Sequence, residues 1–397
     1  MNHKVLLVIL DGAGDRPIAE LNYQTPLEAA NTPFLDGLAE QSQCGMMGSI
    51  GFYRKPSSDL AHMTILGLDM VSYPGRGPIE AAGIGVKHDE TDVFFRGNFC
   101  RINNEGVIVD RRAGRKNPPK MLLDEIRTTV IDDVVFNIHH IAEHRFVLQL
   151  KGDGLSSKVS DNDPHVVGVF PSVIESLDGK HESSNTANLL NRYIEILSGR
   201  LKSFQDSSIN HILLRSPGTM PRWPSFYEKY GVAASCIANN ALYNGIGSLL
   251  KMNVLLPNRF EDYRLYYDAI PDLLCKAFAI SDFVFLHFQE TDLCGEDGDW
   301  REKTRIIEKI DVTLSSIRKL LRDLCVVITS DHSTPCSLQS HSGDEVPFMI
   351  YHKGGRFDDV KAFNEKSCCN GSLGHFTGDL VMPMIQNAIN INKLVGG

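Results

Sequence analysis

Acidic and imidazole side chains follow the ends of several apolar, β-branched runs in this chain. Three runs have the character of buried strands: Val5–Leu10 followed by Asp11, Phe283–Phe288 followed by Asp292, and Cys325–Thr329 followed by Asp331 and His332. In an open α/β sheet, ligands bind outside the carboxyl ends of the strands. Carboxylate oxygens and imidazole nitrogens in this mixture suit two divalent cations such as manganese or zinc. These residues therefore predict a metal site at one edge of a sheet.

Ser58 and His341 lie on predicted loops beside those strand ends. Small residues precede Ser58, and the apolar spacing after it predicts a helix that starts near Asp59. A serine at a helix start commonly caps the helix. Alternatively, it acts as a nucleophile in the positive field of the helix end, where a phosphoryl group is also favoured. His341 opens the loop before another buried run, Val346–Tyr351.

Each of these residues also has an ordinary structural interpretation. Asp11 could form a turn, and Asp331 with His332 could be a helix cap beside a surface histidine. The acidic stretch 289–299 could cap a helix predicted over 300–321, or form a calcium loop, although its spacing departs from the EF-hand pattern. Separate explanations at every strand end are harder to sustain than one shared site, so we expect the shared site.

The overall composition excludes several classes of function. The 397 residues are 42% hydrophobic and 22% charged, with a net charge of -9 and a pI of about 5.9. Such an acidic chain is unsuited to nucleic acid or anionic membranes, and an anionic substrate would need a local basic pocket. The first apolar run is too short for a signal peptide, and no run approaches the length of a membrane span. The nine cysteines lack metal-type CxxC spacing, so we expect reduced thiols in a cytoplasmic protein, with a homo-oligomer left open.

The pattern changes near residue 86, which indicates a second structural unit. Strands are predicted at 91–99, 107–110, 134–138 and 145–150, with a helix over 119–128, as is typical of a compact α+β insertion. We therefore expect a metal-binding α/β domain from 1–88 and 178–397, interrupted by an α+β domain at 89–177.

Two elements after the insertion are expected to return to the first sheet. An amphipathic helix over 185–204 should pack on that sheet, and a strand at 211–214 should join it. The strand ends on Arg215, which would then point at the metal site.

The insertion carries a concentration of basic side chains: Arg96, Arg101, Arg111, Arg112, Arg115 and Lys116. Such a cluster is often only a solvated face. Several arginines near one loop also suit the bidentate binding of carboxylate and phosphate groups.

A series of motifs extends over nearly the whole chain. In order, they are LLVILDG, PSSDLAH, YPGRGPIEAAGIGV, DRRAGR, the acidic stretch after Thr291-Asp292, and TSDHSTP with HSGDEVP. Together they resemble the archaeal-type, cofactor-independent phosphoglycerate mutases of the alkaline phosphatase superfamily. The resemblance implies an α/β fold with an alkaline-phosphatase-like doubly wound sheet and an inserted, smaller α+β domain that holds the substrate.

The same resemblance implies a role for each site residue. Ser58 would accept the phosphoryl group. One metal would be held by Asp11, Ser58, Asp331 and His332, and the other by Asp292, Glu296 and His341. Manganese or zinc would be the expected ion, with magnesium or cobalt as alternatives, and no 2,3-bisphosphoglycerate would be needed. The chain departs from the family pattern at Glu296, where the family has histidine, at Gln289, where it commonly has lysine, and at Ser57, where it has glycine.

The activity implied is the interconversion of 3-phosphoglycerate and 2-phosphoglycerate through a phosphoserine. Substrate-binding candidates are the five arginines Arg96, Arg111, Arg112, Arg115 and Arg215, with Asp163 and His165 from the loop 156–165. The arginine-bearing insertion would close over the metal domain to exclude water. One alternative is a metal-dependent phosphatase or phosphodiesterase, or a mutase for another phosphorylated small acid or phosphonate. Another is a binding protein whose metal site has decayed at Glu296.

Overall fold

The computed structural model describes residues 4–204, 208–256 and 262–392. The chain forms two compact units, one made of Met1–Tyr73 with Pro224–Gly397 and the other of Pro74–Trp223. The second unit is larger than the insertion expected at 89–177. Its additional segments contain a helix at Arg76–Gly83, a helix at His181–Ser203 and a strand at His211–Gly218, all of which pack against the second unit's own sheet.

Regular elements occupy most of both units. The strands are β1 Val5–Leu10, β2 Gln43–Gly48, β3 Val93–Ile102, β4 Ile108–Asp110, β5 Thr128–Ile131, β6 Val134–Ala142, β7 Arg145–Lys151, β8 His211–Gly218, β9 Ala234–Ile237, β10 Asn253–Val254, β11 Phe283–Phe288, β12 Cys325–Thr329, β13 Val346–Tyr351 and β14 Gly374–Thr377. The α-helices are α1 Pro26–Ala29, α2 Pro33–Ala39, α3 Ser58–Ile65, α4 Arg76–Gly83, α5 Lys120–Ile126, α6 His181–Ser203, α7 Phe226–Tyr230, α8 Ala241–Leu249, α9 Tyr263–Ile280, α10 Glu290–Asp297, α11 Trp300–Ser316, α12 Arg318–Leu321, α13 Glu365–Cys368 and α14 Val381–Ala388. Short 3-10 turns lie at Ala19–Leu21, Met70–Ser72, Ala113–Arg115 and Gly378–Leu380.

The first unit is built on an eight-stranded sheet with the order β10-β9-β11-β1-β12-β13-β2-β14. Strand β1 lies between β11 and β12 and is parallel to both, whereas β13 is antiparallel to its two neighbours. Every residue of β1, β11 and β12 is buried, because helices cover a parallel sheet on both faces. The predicted strands of this sheet are confirmed at these positions.

The second unit is built on a six-stranded sheet in which β4-β3-β7-β6-β5 form the path and β8 also pairs with β3. The prediction that 211–214 joins the first sheet is therefore wrong, since β8 runs antiparallel to β3 and aligns Arg215 with Arg96. The helix predicted over 185–204 also packs here. Tyr193 of α6 stacks on Phe136 of β6 with ring centroids 4.5 Å apart, within the core of this second sheet.

Two local predictions concern the chain after β11. Most of the acidic stretch after β11 forms the helix α10, and its last residue, Asp299, caps α11 by accepting a hydrogen bond from the Glu302 amide. The helix predicted over 300–321 is divided into α11 and α12 at Ile317. Within the described ranges, none of the helices is long and apolar enough to cross a membrane.

Candidate active site

The register of the first sheet brings the predicted acidic residues together. Leu10 pairs with Phe288 and Ile9 with Thr329, so the chain leaves β1, β11 and β12 at the same edge. Two groups of potential metal ligands form there. One contains Asp11, Asp331 and His332, and the other contains Asp292, His332 and His341, with the ligand atoms of each group within 4.8 Å of one another.

Ser58 lies against the first of these groups. It is the first residue of α3 and is buried, and its Oγ lies 3.1 Å from Nε2 of His332. The backbone carbonyl of Ser58 contacts Nδ1 of His62 at 2.7 Å, which anchors the first turn of the helix. The hydroxyl therefore lies at the positive end of a helix and beside a group of anionic side chains.

Close backbone packing fixes the loops that carry the ligands. The Gly12 amide donates to Oδ1 of Asp331 at 3.0 Å. Gly12 has a φ of +61°, and a Cβ there would lie 2.6 Å from Oγ1 of Thr334. Thr334 in turn donates to Oδ1 of Asp292 at 2.7 Å and lies 3.0 Å from Nδ1 of His332. One threonine thus links the two ligand groups, and only glycine leaves room for it at position 12.

Burial makes the carboxylates of this site unfavourable in their charged form. It raises the pKa of Asp331 to about 7. Burial also raises the pKa of Asp11 well above its usual range, and the neighbouring charge of Asp331 adds to the effect. The side-chain nitrogens that approach these carboxylates belong to histidines: Nε2 of His332 and Nε2 of His287 lie 3.5 and 3.3 Å from Asp11, and Nε2 of His332 lies 3.1 Å from Asp331. A bound divalent cation would stabilise both anions.

Unsatisfied polar atoms indicate that this site is suited to metal ions. Oδ1 of Asp11 and Oδ2 of Asp331 are buried without a hydrogen-bond partner among the described residues. Buried polar atoms are rarely left unpaired in a native protein unless an ion or water completes them. Carboxylate oxygens, imidazole nitrogens and a serine hydroxyl are a donor set for divalent ions such as manganese or zinc.

The predicted second ligand set is brought together in part. Asp292 and His341 approach within 3.6 Å through Oδ1 and Nε2, and the imidazole of His341 stacks on that of His332 at 3.6 Å. Glu296 is half-buried in α10, one helical turn after Asp292. Neither ligand group of the described residues includes Glu296. Its role as a ligand therefore stays a prediction.

The second unit contains an arginine cluster around two buried carboxylates. Arg111 binds Asp163 through two hydrogen bonds of 3.0 and 2.7 Å, and Arg215 binds the same carboxylate at 2.7 Å. Burial alone would raise the pKa of Asp163, but the hydrogen bond from Arg111 and the charge of Arg215 lower it below its usual value. His165 lies 3.4 Å from Arg111 through Nδ1.

Arg96 belongs to the same cluster through a second carboxylate. Glu80 of α4 accepts a hydrogen bond from Arg76 at 2.8 Å and lies 3.7 Å from Arg96. Each buried carboxylate is thus shared by two guanidinium groups, so the cluster keeps a net positive charge. Burial lowers the pKa of Arg96, and the nearby charge of Arg76 lowers it further.

The chain matches a known protein family over almost its full length. Residues 3–388 match the model of the Metalloenzyme superfamily. A 2,3-bisphosphoglycerate-independent phosphoglycerate mutase of Thermoplasma volcanium is 37% identical over 400 residues, which cover 98% of each chain. One from Methanothermobacter thermautotrophicus is 37% identical over 410 residues, covering 99% of this chain and 100% of the relative. The chain belongs to this mutase family.

Solved structures support the same assignment. A cofactor-independent phosphoglycerate mutase from Thermoplasma acidophilum is 31% identical, has a TM-score of 0.65, and is matched over 97% of this chain and 99% of that one. A protein from Pyrococcus horikoshii is 30% identical with a TM-score of 0.81, over 100% and 99% of the two chains. Family membership confirms the predicted alkaline-phosphatase-like α/β fold.

The other two arginines proposed to bind substrate, Arg112 and Arg115, lie at a short turn after β4. Arg112 precedes the 3-10 turn Ala113–Arg115, and Arg115 ends it in an exposed position with a φ of +55°. Asp110, at the end of β4, accepts hydrogen bonds from the amides of Arg112 and Gly114, which holds the turn together. The structure therefore groups Arg96, Arg111, Arg215, Asp163 and His165, while the substrate-binding role of all seven candidates, Arg112 and Arg115 included, stays a prediction.

Sequence reasoning missed several buried side chains beside the metal ligands. His62 lies 3.5 Å from Asp331, and His287 stacks on Tyr243 with centroids 3.6 Å apart. The Tyr243 hydroxyl donates a hydrogen bond to Oδ2 of Asp11. Burial lowers the pKa of both histidines well below the usual value, so both stay neutral. A histidine inside an apolar run, as at position 287, was the available signal.

Proposed function

We propose that this chain is a metal-dependent mutase that interconverts 3-phosphoglycerate and 2-phosphoglycerate without 2,3-bisphosphoglycerate. The observation that carries the proposal is the position of Ser58 Oγ, 3.1 Å from His332 and beside the Asp11 and Asp331 group, in a chain of the mutase family. A serine hydroxyl at a helix start and among metal ligands is suited to accept a phosphoryl group.

We propose Asp11, Ser58, Asp331 and His332 as the ligands of one divalent ion, and Asp292, Glu296 and His341 as those of the other. Manganese or zinc fits the mixture of oxygen and nitrogen donors. When bound, such ions lower the pKa of a coordinated hydroxyl and stabilise the charge on the transferring phosphoryl group. Thr334 holds Asp292 and His332 in fixed relative positions, so the ligands are pre-organised for this role.

Ser58 carries the transfer in two steps. In the first, Oγ forms a bond to phosphorus, the bond between phosphorus and the C3 oxygen breaks, and that oxygen gains the proton that Oγ has lost. In the second, the C2 oxygen of the bound glycerate forms a bond to phosphorus, the bond between phosphorus and Oγ of Ser58 breaks, and the proton of the C2 hydroxyl passes to Oγ. The helix dipole of α3 favours the phosphorylated serine because its three anionic oxygens lie at the positive end of the helix.

The arginine cluster of the second unit supplies groups suited to the carboxylate of the substrate. Asp163 orients Arg111 and Arg215, and Glu80 orients Arg96. Because each carboxylate neutralises only one of its two arginines, a net positive charge is left for a carboxylated, phosphorylated ligand. We propose that this cluster, with Arg112, Arg115 and His165, binds the glycerate part of the substrate.

The test is a coupled assay of metal-stripped protein. Enolase converts 2-phosphoglycerate to phosphoenolpyruvate, so isomerisation of 3-phosphoglycerate is followed directly, while free phosphate is measured in parallel. Manganese, zinc, cobalt and magnesium are restored in turn. We expect metal-dependent isomerisation that is lost in Ser58→Ala but kept in Ser57→Ala, because the Ser57 side chain makes no capping hydrogen bond at the start of α3.

Each other outcome has a defined meaning. Release of phosphate without isomerised product would indicate a phosphatase of the same superfamily. Absence of isomerisation with every metal would refute the proposal and direct the search to other phosphorylated small acids or phosphonates. Isomerisation that survives in Ser58→Ala would exclude the phosphoserine route.

A further inference from the structure

A second group of polar side chains lies in and beside β14, the edge strand of the first sheet. Cys369 directly follows α13, His375 is in β14, and Glu345 directly precedes β13. Sγ of Cys369 lies 3.9 Å from Nε2 of His375, within the range of a thiol hydrogen bond. Nδ1 of the same imidazole lies 2.9 Å from Oε2 of Glu345. A thiol, an imidazole and a carboxylate are thus connected in sequence.

These two contacts determine which nitrogen of the His375 imidazole carries the hydrogen and which one accepts it. A carboxylate that accepts the hydrogen on Nδ1 leaves the lone pair of Nε2 directed at the thiol. Oε1 of Glu345 is buried and has no hydrogen-bond partner in the described part of the chain. The carboxylate is therefore available to stabilise an imidazolium, which forms when His375 takes a proton from the thiol.

The thiol is open to solvent, as a modification site requires. β14 is the last strand of the sheet, Cys369 is exposed, and the His375 side chain is 49% exposed. The neighbouring Cys368 differs in its exposure and its contacts. It is fully buried, and contact with the Cys44 thiol together with burial raises its pKa well above the usual value. Reactivity is therefore expected at Cys369 and not at the adjacent Cys368.

We propose that Cys369 is a reactive thiol that undergoes exchange with small disulfides, with His375 as its base and Glu345 as the positioning residue. In the exchange, the Cys369 sulfur forms a bond to one sulfur of the disulfide and the original S–S bond breaks. The departing thiolate carries away the electron pair, and the proton of Cys369 passes to His375. The product is a mixed disulfide beside the edge strand of the first sheet, and no further oxidant is needed.

The chain contains a matched control thiol. Cys275 in α9 is also exposed, and among the described residues no histidine is hydrogen-bonded to it. An ordinary exposed thiol is only a few per cent thiolate at pH 7. Complete conversion to the thiolate would therefore raise its reaction rate by at most roughly 30-fold. Since the attacking strength of sulfur falls as the thiolate becomes more stable, we expect Cys369 to react about tenfold faster than Cys275.

The experiment measures the rate of reaction with 4,4′-dithiodipyridine, a neutral disulfide, on the folded, metal-loaded protein. Cys275→Ser and Cys369→Ser each isolate one exposed thiol, and peptide mass analysis identifies the modified residue. His375→Gln in the Cys275→Ser chain should slow Cys369 to about the rate of Cys275. Glu345→Gln should give an intermediate rate, because the imidazole stays but loses its anionic partner.

Circular dichroism and the mutase assay on the same samples show that each variant is folded. Cys369 reacting no faster than Cys275 would overturn the proposal. So would an unchanged rate in His375→Gln, because a thiol that is fast only through exposure does not depend on the imidazole. Neither result depends on whether the chain isomerises phosphoglycerate.

Discussion

Lys303 is a fully buried lysine whose removal should cost more stability than any surface charge of its helix. Its Nζ donates to Oδ2 of Asp15 at 2.8 Å, to the Gly14 carbonyl at 3.1 Å and to the Thr334 carbonyl at 2.9 Å. Both charged side chains are 0% exposed. Lys303 therefore connects the loop after β1 with the loop after β12, which carry the proposed metal ligands.

The size of the effect follows from what Lys303→Met would leave behind. Methionine fills a similar volume, so the main loss is the charge and its three hydrogen bonds. Asp15 would stay buried without its cation, and breaking one partner of a buried ion pair costs about 3–5 kcal/mol. The amides of Arg16 and Cys336 also donate to Asp15 and would offset part of that cost. We expect the free energy of unfolding to fall by about 3 kcal/mol.

The assay is guanidinium unfolding of the metal-free protein, followed by intrinsic fluorescence, so that metal binding does not contribute. The matched control is Lys319→Met, which removes an exposed lysine of α12 and should change stability by less than about 0.5 kcal/mol. Asp15→Asn combined with Lys303→Met should recover part of the loss, since no charge is then left unpaired. A loss below about 1 kcal/mol in Lys303→Met, or purely additive effects of the two substitutions, would refute this account of the network.

Three further predictions concern the arginine cluster of the second unit, the proposed second metal site and a buried histidine. Arg215→Ala should lower kcat/KM for 3-phosphoglycerate by at least about 100-fold, whereas Arg101→Ala on the exposed face of β3 should not. If Arg215→Ala keeps the kcat/KM of the unsubstituted chain, Arg215 does not bind the substrate. Glu296→His should shift the metal preference of the mutase assay toward zinc, with Asp297→His as the control, and an unchanged preference would mean that Glu296 is not a ligand. Burial lowers the pKa of His211 from 6.5 to about 4, so the unfolded chain binds the proton first and stability should decline as pH falls from 6.5 to 4. His211→Asn should flatten that decline in urea midpoints, while the exposed His181→Asn should leave the slope unchanged.

The metal-ligand candidates could be predicted because their positions follow from a local rule. A buried apolar run identifies a strand, and the residue after it lies at the edge of the sheet whatever the rest of the chain does. Asp11, Asp331 and His332 follow β1 and β12, which the structure places side by side in parallel register. Asp292 follows β11 in the same way, although it lies in the first turn of α10 and not directly at the strand end.

Arg215 shows where that local rule fails. The apolar run before it identifies a strand, but its composition does not determine which sheet it joins. Its partner is β3, more than a hundred residues earlier, and the pairing depends on cross-strand contacts with distant residues. The second compact unit also extends beyond the insertion expected at 89–177, since α4, α6 and β8 join it through contacts that are not local in sequence.

His62, Tyr243 and His287 were missed because burial conceals their polar contacts in the sequence. Each lies in an element whose apolar pattern is satisfied without them, so each resembles an ordinary core residue. Tyr243 reaches Asp11 from α8, across 232 positions of sequence. Only the assembled sheet shows that these three rings surround the proposed nucleophile and its carboxylates.

Two sets of buried carboxylates lie close together at this edge of the sheet, and they differ in the side chains that balance their charge. Asp15 is paired with an internal cation, Lys303, and is stable without any ligand. Asp11 and Asp331 instead lie beside histidines, each has one oxygen without a hydrogen-bond partner among the described residues, and burial raises the pKa of both. Lys303 neutralises Asp15, whereas Asp11 and Asp331 are suited to neutralisation by an external cation. The cost of burying those charges is then recovered only when the metal binds, so metal affinity and the stability of this edge are coupled.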